Sequence, residues 1–134
     1  MGAGAAAATA WGLLEPLDRR LFRYDYSDIA LLGKAVTRGP RWRATGFALH
    51  AANGAVFGAM YDELRRRLPV NPRRLALALA LAEHVALYPL GLLVDRYHPA
   101  RGEPGIPPIG TSARAFAQAT VRHAVFGALL GRLG

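Results

Sequence analysis

Cysteine is absent from the 134 residues of this chain. Its absence excludes disulfide scaffolds, thiolate zinc sites, iron–sulfur clusters and cysteine nucleophiles. Lysine occurs only at Lys34, and 9 acidic residues stand against 17 basic ones, which gives a formal net charge of +8. A chain with this charge is expected to lie next to a polyanion, either a nucleic acid or an anionic lipid surface.

Charged side chains are missing from one long stretch of the chain and nearly missing from another. Residues 44–61 contain none, and residues 75–94 contain only Glu83. Each stretch approaches the roughly 20 apolar residues that cross about 30 Å of hydrocarbon at about 1.5 Å per residue. Because a soluble basic domain mixes charge through its helices, this separation favours the lipid surface over nucleic acid.

Residues 113–133 have a helical period and complete the set of candidate spans. Their polar side chains must face protein or water if the segment spans: Arg114, Gln118, Arg122 and His123. We therefore predict an all-α integral membrane bundle that forms a single domain over residues 1–134. Its three spanning helices are predicted at 44–61, 75–94 and 113–133. It is expected to be a multi-pass membrane protein whose partners are the lipid bilayer and anionic headgroups.

The N-terminal third, residues 1–43, lacks an apolar run long enough to span the membrane. Residues 11–24 mix large apolar side chains with arginines, which is typical of a helix lying in the headgroup region. A surface helix on a soluble core is the alternative interpretation of this pattern. Residues 27–38 begin at a possible N-cap, Ser27, and predict a short amphipathic or re-entrant helix.

Small residues recur at helical spacing in two of the predicted spans. Gly54 and Gly58 form one G-x-x-x-G pattern, and Gly127 and Gly131 form another. In lipid, glycines let helix backbones approach closely, and this approach drives helix association. We therefore predict packing through these faces, including association into a homo-oligomer or with another membrane protein. The alternative is that the glycines reflect only the composition of the chain.

Six polar residues are predicted to lie near one depth in the membrane. They are His50, Asn53, Glu83, His84, Arg122 and His123. With a rise of about 1.5 Å per residue, five of them fall close to the midplane, and His50 lies about one turn shallower. A charge at this depth costs at least a few kcal/mol, so Glu83 and Arg122 are expected to face the bundle and pair with each other.

The role of this polar cluster is open to three interpretations. It can be a satisfied interior network that fixes helix register, because buried polar groups must be paired. It can be an oligomeric proton or ion path through Glu83, His84 and His123, or a component of a transporter. It can also be a metal or haem site using His50, His84 and His123, although no helix carries a ligand spacing. We expect the first, and therefore no cofactor and no resident metal.

Other functional classes lack a signal in this sequence. The arginine-rich loop at 65–74 contains no aromatic residue, and no helix-turn-helix, RNA-recognition or zinc-finger signature occurs, so no nucleic-acid partner is expected. No nucleophile elbow, zinc-protease motif or phosphate-binding loop is present. We therefore predict a non-enzymatic integral membrane protein with a structural or accessory role.

The order of features from about residue 50 to residue 133 resembles the YagU-like group of small bacterial inner-membrane proteins. The shared pattern is a span with histidine, FG and tyrosine, a basic proline loop, a span with histidine and Tyr-Pro, a Pro-rich connector and a last span with histidine. The residues that carry it are His50, Phe57, Gly58, Tyr61, His84, Tyr88, Pro89 and His123. The resemblance implies an all-helical inner-membrane protein and brings no catalytic residues.

Overall fold

The computed structural model describes residues 2–134, and every regular element in this range is helical. The all-α prediction is therefore confirmed. The six α-helices are α1 (Gly2–Phe22), α2 (Asp28–Val36), α3 (Trp42–Arg67), α4 (Pro72–Leu87), α5 (Gly91–Tyr97) and α6 (Ala113–Leu133). A short 3₁₀ turn, Tyr88–Leu90, joins α4 to α5.

Three helices begin at side chains that accept hydrogen bonds from their first turns. Ser27 caps α2, as the sequence predicted, Asn71 caps α4 and Ser112 caps α6. Such caps satisfy backbone N–H groups that have no partner inside the helix. The 3₁₀ turn contains Pro89, which lacks the N–H group needed to continue the α-helical pattern.

Four long helices form an up-and-down bundle. Helix α1 runs antiparallel to α3, because Gly4 lies against Gly58 while Gly12 lies against Phe47. Helix α4 packs along α6, α1 also contacts α6, and α2 packs on the first turns of α3. We call the half that contains the 68–71 loop the loop half, and the half that contains residues 98–112 the connector half.

Helix α1 differs from the predicted interfacial segment. It is 21 residues long and buries its N-terminal small residues and Trp11 inside the bundle. Its alanine and glycine residues are only weakly hydrophobic, and α1 is not among the helices apolar enough to cross a membrane. Because these residues are small, they let α1 approach the backbone of α3 closely.

The predicted spans are supported unequally. Within residues 2–134, one helix is long and apolar enough to cross a membrane: the 26-residue stretch Pro72–Tyr97, which combines α4, the 3₁₀ turn and α5. Helices α3 and α6 have the length of a span but carry more polar side chains. The structure thus supports an all-helical bundle with one candidate span, and the three-span arrangement stays a prediction.

Candidate functional site

The guanidinium of Arg122 is the centre of a buried ionic network. Its side chain on α6 is 2% exposed. Nε donates to Asp18 Oδ2 at 2.6 Å, and Nη2 donates to Asp18 Oδ1 at 2.9 Å. Nη1 donates to Asp28 Oδ2 at 2.9 Å, and Nη2 also donates to the carbonyl oxygen of Tyr26 at 2.6 Å. All three nitrogens are therefore hydrogen-bonded, and the pair with Asp18 is bidentate, the strong form of this contact.

Glu15 of α1 supplies a third carboxylate and holds the start of α2. Its Oε1 accepts from the backbone N–H groups of Asp28 at 2.5 Å and Ile29 at 3.2 Å, and its Oε2 accepts from the Ser27 hydroxyl at 2.6 Å. A carboxylate at a helix N-terminus is favoured by the helix dipole. Nevertheless, burial and the neighbouring negative charge of Asp28 raise the pKa of Glu15 above its usual value.

Aromatic rings surround the same guanidinium. The ring of Tyr26 lies 4.6 Å from the Arg122 guanidinium carbon and the ring of Trp11 lies 5.7 Å from it, both within cation–π range. The Tyr26 hydroxyl donates to Asp28 Oδ1 at 2.5 Å. Burial alone would raise the pKa of Asp28, but the charge of Arg122 and this hydrogen bond outweigh burial and lower it.

The predicted ion pair between Glu83 and Arg122 is wrong. Arg122 pairs with Glu15, Asp18 and Asp28, and no ion pair joins it to Glu83 in the described chain. The reason is that α1 and α2 pack inside the bundle, and their acidic residues lie next to Arg122. A signal was present in the sequence: Glu15 and Asp18 are three residues apart and therefore share one face of a helix.

Glu83 lies instead beside the histidine of the neighbouring helix. Its Oε2 is 3.9 Å from His123 Nε2, while His123 Nδ1 donates to the carbonyl oxygen of Ala119 at 2.8 Å. The rings of His84 and His123 have centroids 4.9 Å apart, and His84 Nε2 lies 2.9 Å from the Thr120 hydroxyl. The two histidines thus link α4 to α6.

A small cleft of about 60 Å³ between α1, α3, α4 and α6 collects most of the predicted polar cluster. Five of the six predicted residues line it: His50, Asn53, Glu83, Arg122 and His123. The sixth, His84, lines a second cavity on the connector side, and His123 borders both cavities. The sequence argument from helix depth therefore brought the right residues together, although it paired two of them wrongly.

The remaining wall of the cleft is mainly apolar and aromatic, and consists of Ala8, Trp11, Gly54, Phe57 and Phe126, together with Asp28. Among the residues that the structure describes, two buried ring nitrogens that line the cleft have no hydrogen-bond partner: Trp11 Nε1 and His50 Nε2. Buried polar atoms are usually paired, so these two nitrogens are open to a further partner.

The four predicted packing glycines all lie at helix contacts within the chain. A Cβ at Gly54 would lie 2.4 Å from the Cβ of Ala8, and Gly58 lies against Gly4. On the other side, Gly127 and Gly131 face α4, where added Cβ atoms would lie 2.9 Å from Leu77 and Arg73 Cα atoms respectively. These faces are therefore occupied by α1 and α4 rather than being free for a second copy.

Comparisons with known proteins add no relative. The chain matches no family model, no curated protein and no solved structure. The resemblance to the YagU-like group therefore stays a prediction. Within residues 2–134 there is also no group of three or more His, Asp or Glu side chains placed to hold a metal ion.

Proposed function

We propose that this chain is a non-enzymatic integral membrane protein of the bacterial inner membrane, with a structural or accessory role. The observation that carries the proposal is the apolar stretch Pro72–Tyr97, because only 17% of its most apolar window is buried inside the chain. The core helix of a soluble protein is mostly buried, whereas this helix presents leucines and valines outward. A lipid environment accounts for that exposure.

The two other predicted spans are compatible with the same environment. Large apolar side chains are exposed on both, including Val56 of α3 and Val121 of α6. The one deeply placed charge on α6, Arg122, has acidic partners inside the protein, which removes most of the cost of placing it at membrane depth. We propose that α3, the α4–α5 stretch and α6 cross the bilayer.

Both ends of the proposed spans carry positive charge. A dense group of arginines lies at the loop end and is suited to anionic headgroups: Arg65, Arg66, Arg67, Arg73, Arg74 and Arg132. In this arrangement the buried ionic network fixes α1 and α2 against α6. Its role would be to hold the register of the bundle, since each carboxylate has a defined donor.

Membrane fractionation with a matched pair of variants tests the proposal. The wild-type chain should stay in the membrane pellet through an alkaline carbonate wash. Val85→Arg places a charge on the exposed apolar face of α4 and should lower the membrane-retained amount, because arginine at a span centre costs about 2.5–3.5 kcal/mol. Val70→Arg, in the exposed loop, should change nothing. Release of the wild type, or equal behaviour of the two variants, would contradict a spanning α4.

A proton pathway is the second candidate function, and one arrangement favours it. Glu83 lies in the cleft next to His123, and His123 borders both this cleft and the cavity on the connector side. A histidine between two cavities is placed to pass a proton between them. Purified protein in liposomes should then conduct protons, and Glu83→Gln should abolish the flux. Equal flux in empty liposomes would exclude this candidate.

A further inference from the structure

Helix α1 ends in a turn whose backbone conformation is unusual for an arginine. The N–H of Arg23 donates to the carbonyl oxygen of Arg20 at 3.3 Å, and the N–H of Tyr24 donates to that of Arg19 at 3.2 Å. These two hydrogen bonds form a Schellman cap, in which the residue after the helix is left-handed and is usually glycine. Arg23 occupies this position with a φ of 48°, and it is the one non-glycine residue within residues 2–134 that has a positive φ. Because a side chain is strained there, the arginine indicates a role for its guanidinium.

Three arginines surround one open pocket at this end of α1. The volume of the pocket is about 450 Å³. It is lined by Pro16, Arg19, Arg20, Arg23, Tyr24 and Asp25. The single carboxylate, on Asp25, pairs with Arg19 and accepts from the backbone N–H of Gly105. Arg20 and Arg23 are exposed and have no hydrogen-bond or ion-pair partner for their guanidinium groups in the described chain. Two positive charges therefore remain for an anion.

The chemistry of the pocket suits a phosphate group. A guanidinium presents paired N–H donors that match two oxygens of a phosphate. The Tyr24 hydroxyl does not compete for these oxygens, because it already donates to the carbonyl oxygen of Pro108. A bound phosphate would also offset the repulsion between the neighbouring charges of Arg20 and Arg23.

An exposed apolar stripe on α1 leads into this pocket. Its residues follow the spacing i, i+3, i+4 and i+7 and therefore share one face of the helix: Leu13, Pro16, Leu17 and Arg20. All four are exposed, and Leu13 and Leu17 retain 67% and 57% of their accessible surface. A free phosphate would contact only the arginines, whereas a phospholipid would also bury this stripe under an acyl chain. The combination of stripe and pocket favours the phosphate of a lipid.

The pocket also lies at the depth expected of a lipid headgroup. Gly12 lies against Phe47, and α1 and α3 are antiparallel. Five residues further towards the connector on each helix, Leu17 is therefore level with Trp42, the first residue of α3. Tryptophan is typical of the boundary between membrane and water. Arg20 lies about 4.5 Å further out, at about 1.5 Å per residue. This step rests on the membrane placement of α3 proposed above.

We propose that the pocket binds the phosphate of an anionic phospholipid through Arg20 and Arg23, with an acyl chain of the same lipid along Leu13 and Leu17. The lipid class is that of phosphatidylglycerol, whose phosphodiester is negative and whose headgroup carries no cation. A zwitterionic lipid would bring its ammonium group close to the two arginines and should bind more weakly.

Brominated lipids measure this preference at a defined place on the protein. Because the chain has no cysteine, Leu14→Cys beside the stripe and Val85→Cys on the exposed face of α4 can each be labelled with bimane alone. The full chain is reconstituted in vesicles of phosphatidylglycerol and phosphatidylcholine, and one of the two lipids is brominated at a time. We expect the Leu14→Cys reporter to show a preference for phosphatidylglycerol of about threefold or more, and the Val85→Cys reporter to show none.

Variants of the pocket arginines assign the preference to the site. Arg20→Gln and Arg23→Gly should each bring quenching of the Leu14→Cys reporter by the two lipids close to equality. Arg41→Gln is the matched control, because Arg41 is exposed just before α3 and does not line the pocket. Arg23→Gly should unfold at a temperature no lower than wild type, since glycine relieves the strained turn. Lower stability with an unchanged preference would assign Arg23 to folding alone.

The remaining outcomes separate this proposal from the proposed function. Equal quenching of the Leu14→Cys reporter by both lipids overturns the lipid site, and so does a preference that survives in Arg20→Gln. Loss of the preference on adding inorganic phosphate at constant ionic strength would reassign the pocket to free phosphate. Quenching at Val85→Cys without a preference at Leu14→Cys contradicts this site alone, whereas quenching at neither position contradicts the membrane placement as well.

Discussion

The two halves of the bundle differ in what is added to close helix packing. In the loop half, small residues bring backbones together at Gly4, Gly54 and Gly127, around an apolar cluster that contains Phe57 and Tyr61. The connector half has close glycine contacts and apolar clusters as well, but it adds buried ionic and hydrogen-bonded contacts: the Arg122 network, and Asp95, which accepts from two backbone N–H groups of the connector.

This difference shows how one chain can combine two kinds of specificity. Close backbone packing in the loop half depends on shape and tolerates no added carbon atom at the contact. The network in the connector half depends on complete pairing, because a partly satisfied buried network is worse than none. Variants in each half should therefore fail in different ways and by different amounts.

The largest effect is expected from Arg122→Met in the connector half. Removing the guanidinium leaves the buried Asp18 and the half-buried Asp28 without their cation, and loss of one partner of a buried ion pair typically costs about 3–5 kcal/mol. Unfolding by denaturant in detergent, followed by circular dichroism, measures this loss. Arg114→Met, on the exposed first turn of α6, is the control and should stay near wild type. Similar stability of the two variants would show that the network does not hold the fold.

A smaller loss is expected from Gly54→Leu in the loop half. Even the added Cβ would lie 2.4 Å from the Cβ of Ala8 and 2.6 Å from the carbonyl oxygen of Gly4, so α1 must move away. Overpacking of this kind typically costs about 1–3 kcal/mol. The same denaturant experiment measures it.

Gly2→Leu is the control for this variant, because no described atom would lie within 4 Å of a Cβ at that position. If Gly54→Leu unfolded at the wild-type denaturant concentration, α1 would not be packed on α3 through its glycines.

The next effect compares two helix caps. Ser27→Ala removes both the cap on α2 and the hydrogen bond to the buried Glu15 carboxylate, so a loss of about 2 kcal/mol is expected. Ser112→Ala removes only the cap on α6, and a loss of about 1 kcal/mol is expected. Thermal unfolding of the two variants side by side measures the difference. Equal losses would mean that the hydroxyl of Ser27 contributes only as a cap.

The smallest expected effect is a change in pH dependence caused by Glu15→Gln. Because burial raises the pKa of Glu15 in the folded state, ionisation of this carboxyl opposes folding at neutral pH. Its contribution to stability should improve as the pH falls from the raised folded value towards the usual 4.5. The glutamine keeps an acceptor for the α2 backbone and cannot titrate. The stability of wild type relative to the variant should therefore rise on acidification across this window, as followed by thermal unfolding; parallel pH curves would contradict the prediction.

Much of the loop half could be predicted from the sequence because its determinants are local. The glycine spacings at 54, 58, 127 and 131 mark close-packing faces whatever their partner, and the structure places all four at helix contacts. Their partners could not be predicted in the same way. The sequence suggested a second copy, whereas α1 and α4 of the same chain occupy these faces, because a spacing pattern does not specify which helix it meets.

The connector half was less predictable because its contacts join residues far apart in the chain. Arg122 lies 104 residues from Asp18 and 94 from Asp28, and no periodicity links them. The depth of each residue along its helix correctly predicted that Glu83, His123 and their neighbours line one cleft, because the rise per residue is nearly constant. The choice of partner for Arg122 required knowing that α1 enters the bundle, which its alanine-rich sequence did not reveal.

The separation between Arg122 and its partners has a consequence for how the protein is made. Ribosomes add about 5–20 residues per second, so Asp18 is synthesised roughly 5–20 s before the arginine that neutralises it. During this interval the acidic groups of α1 and α2 have to remain hydrated or be held by another protein. Completion of the bundle must therefore wait for the last helix, and a nascent chain that stops before residue 122 holds three carboxylates without their cation.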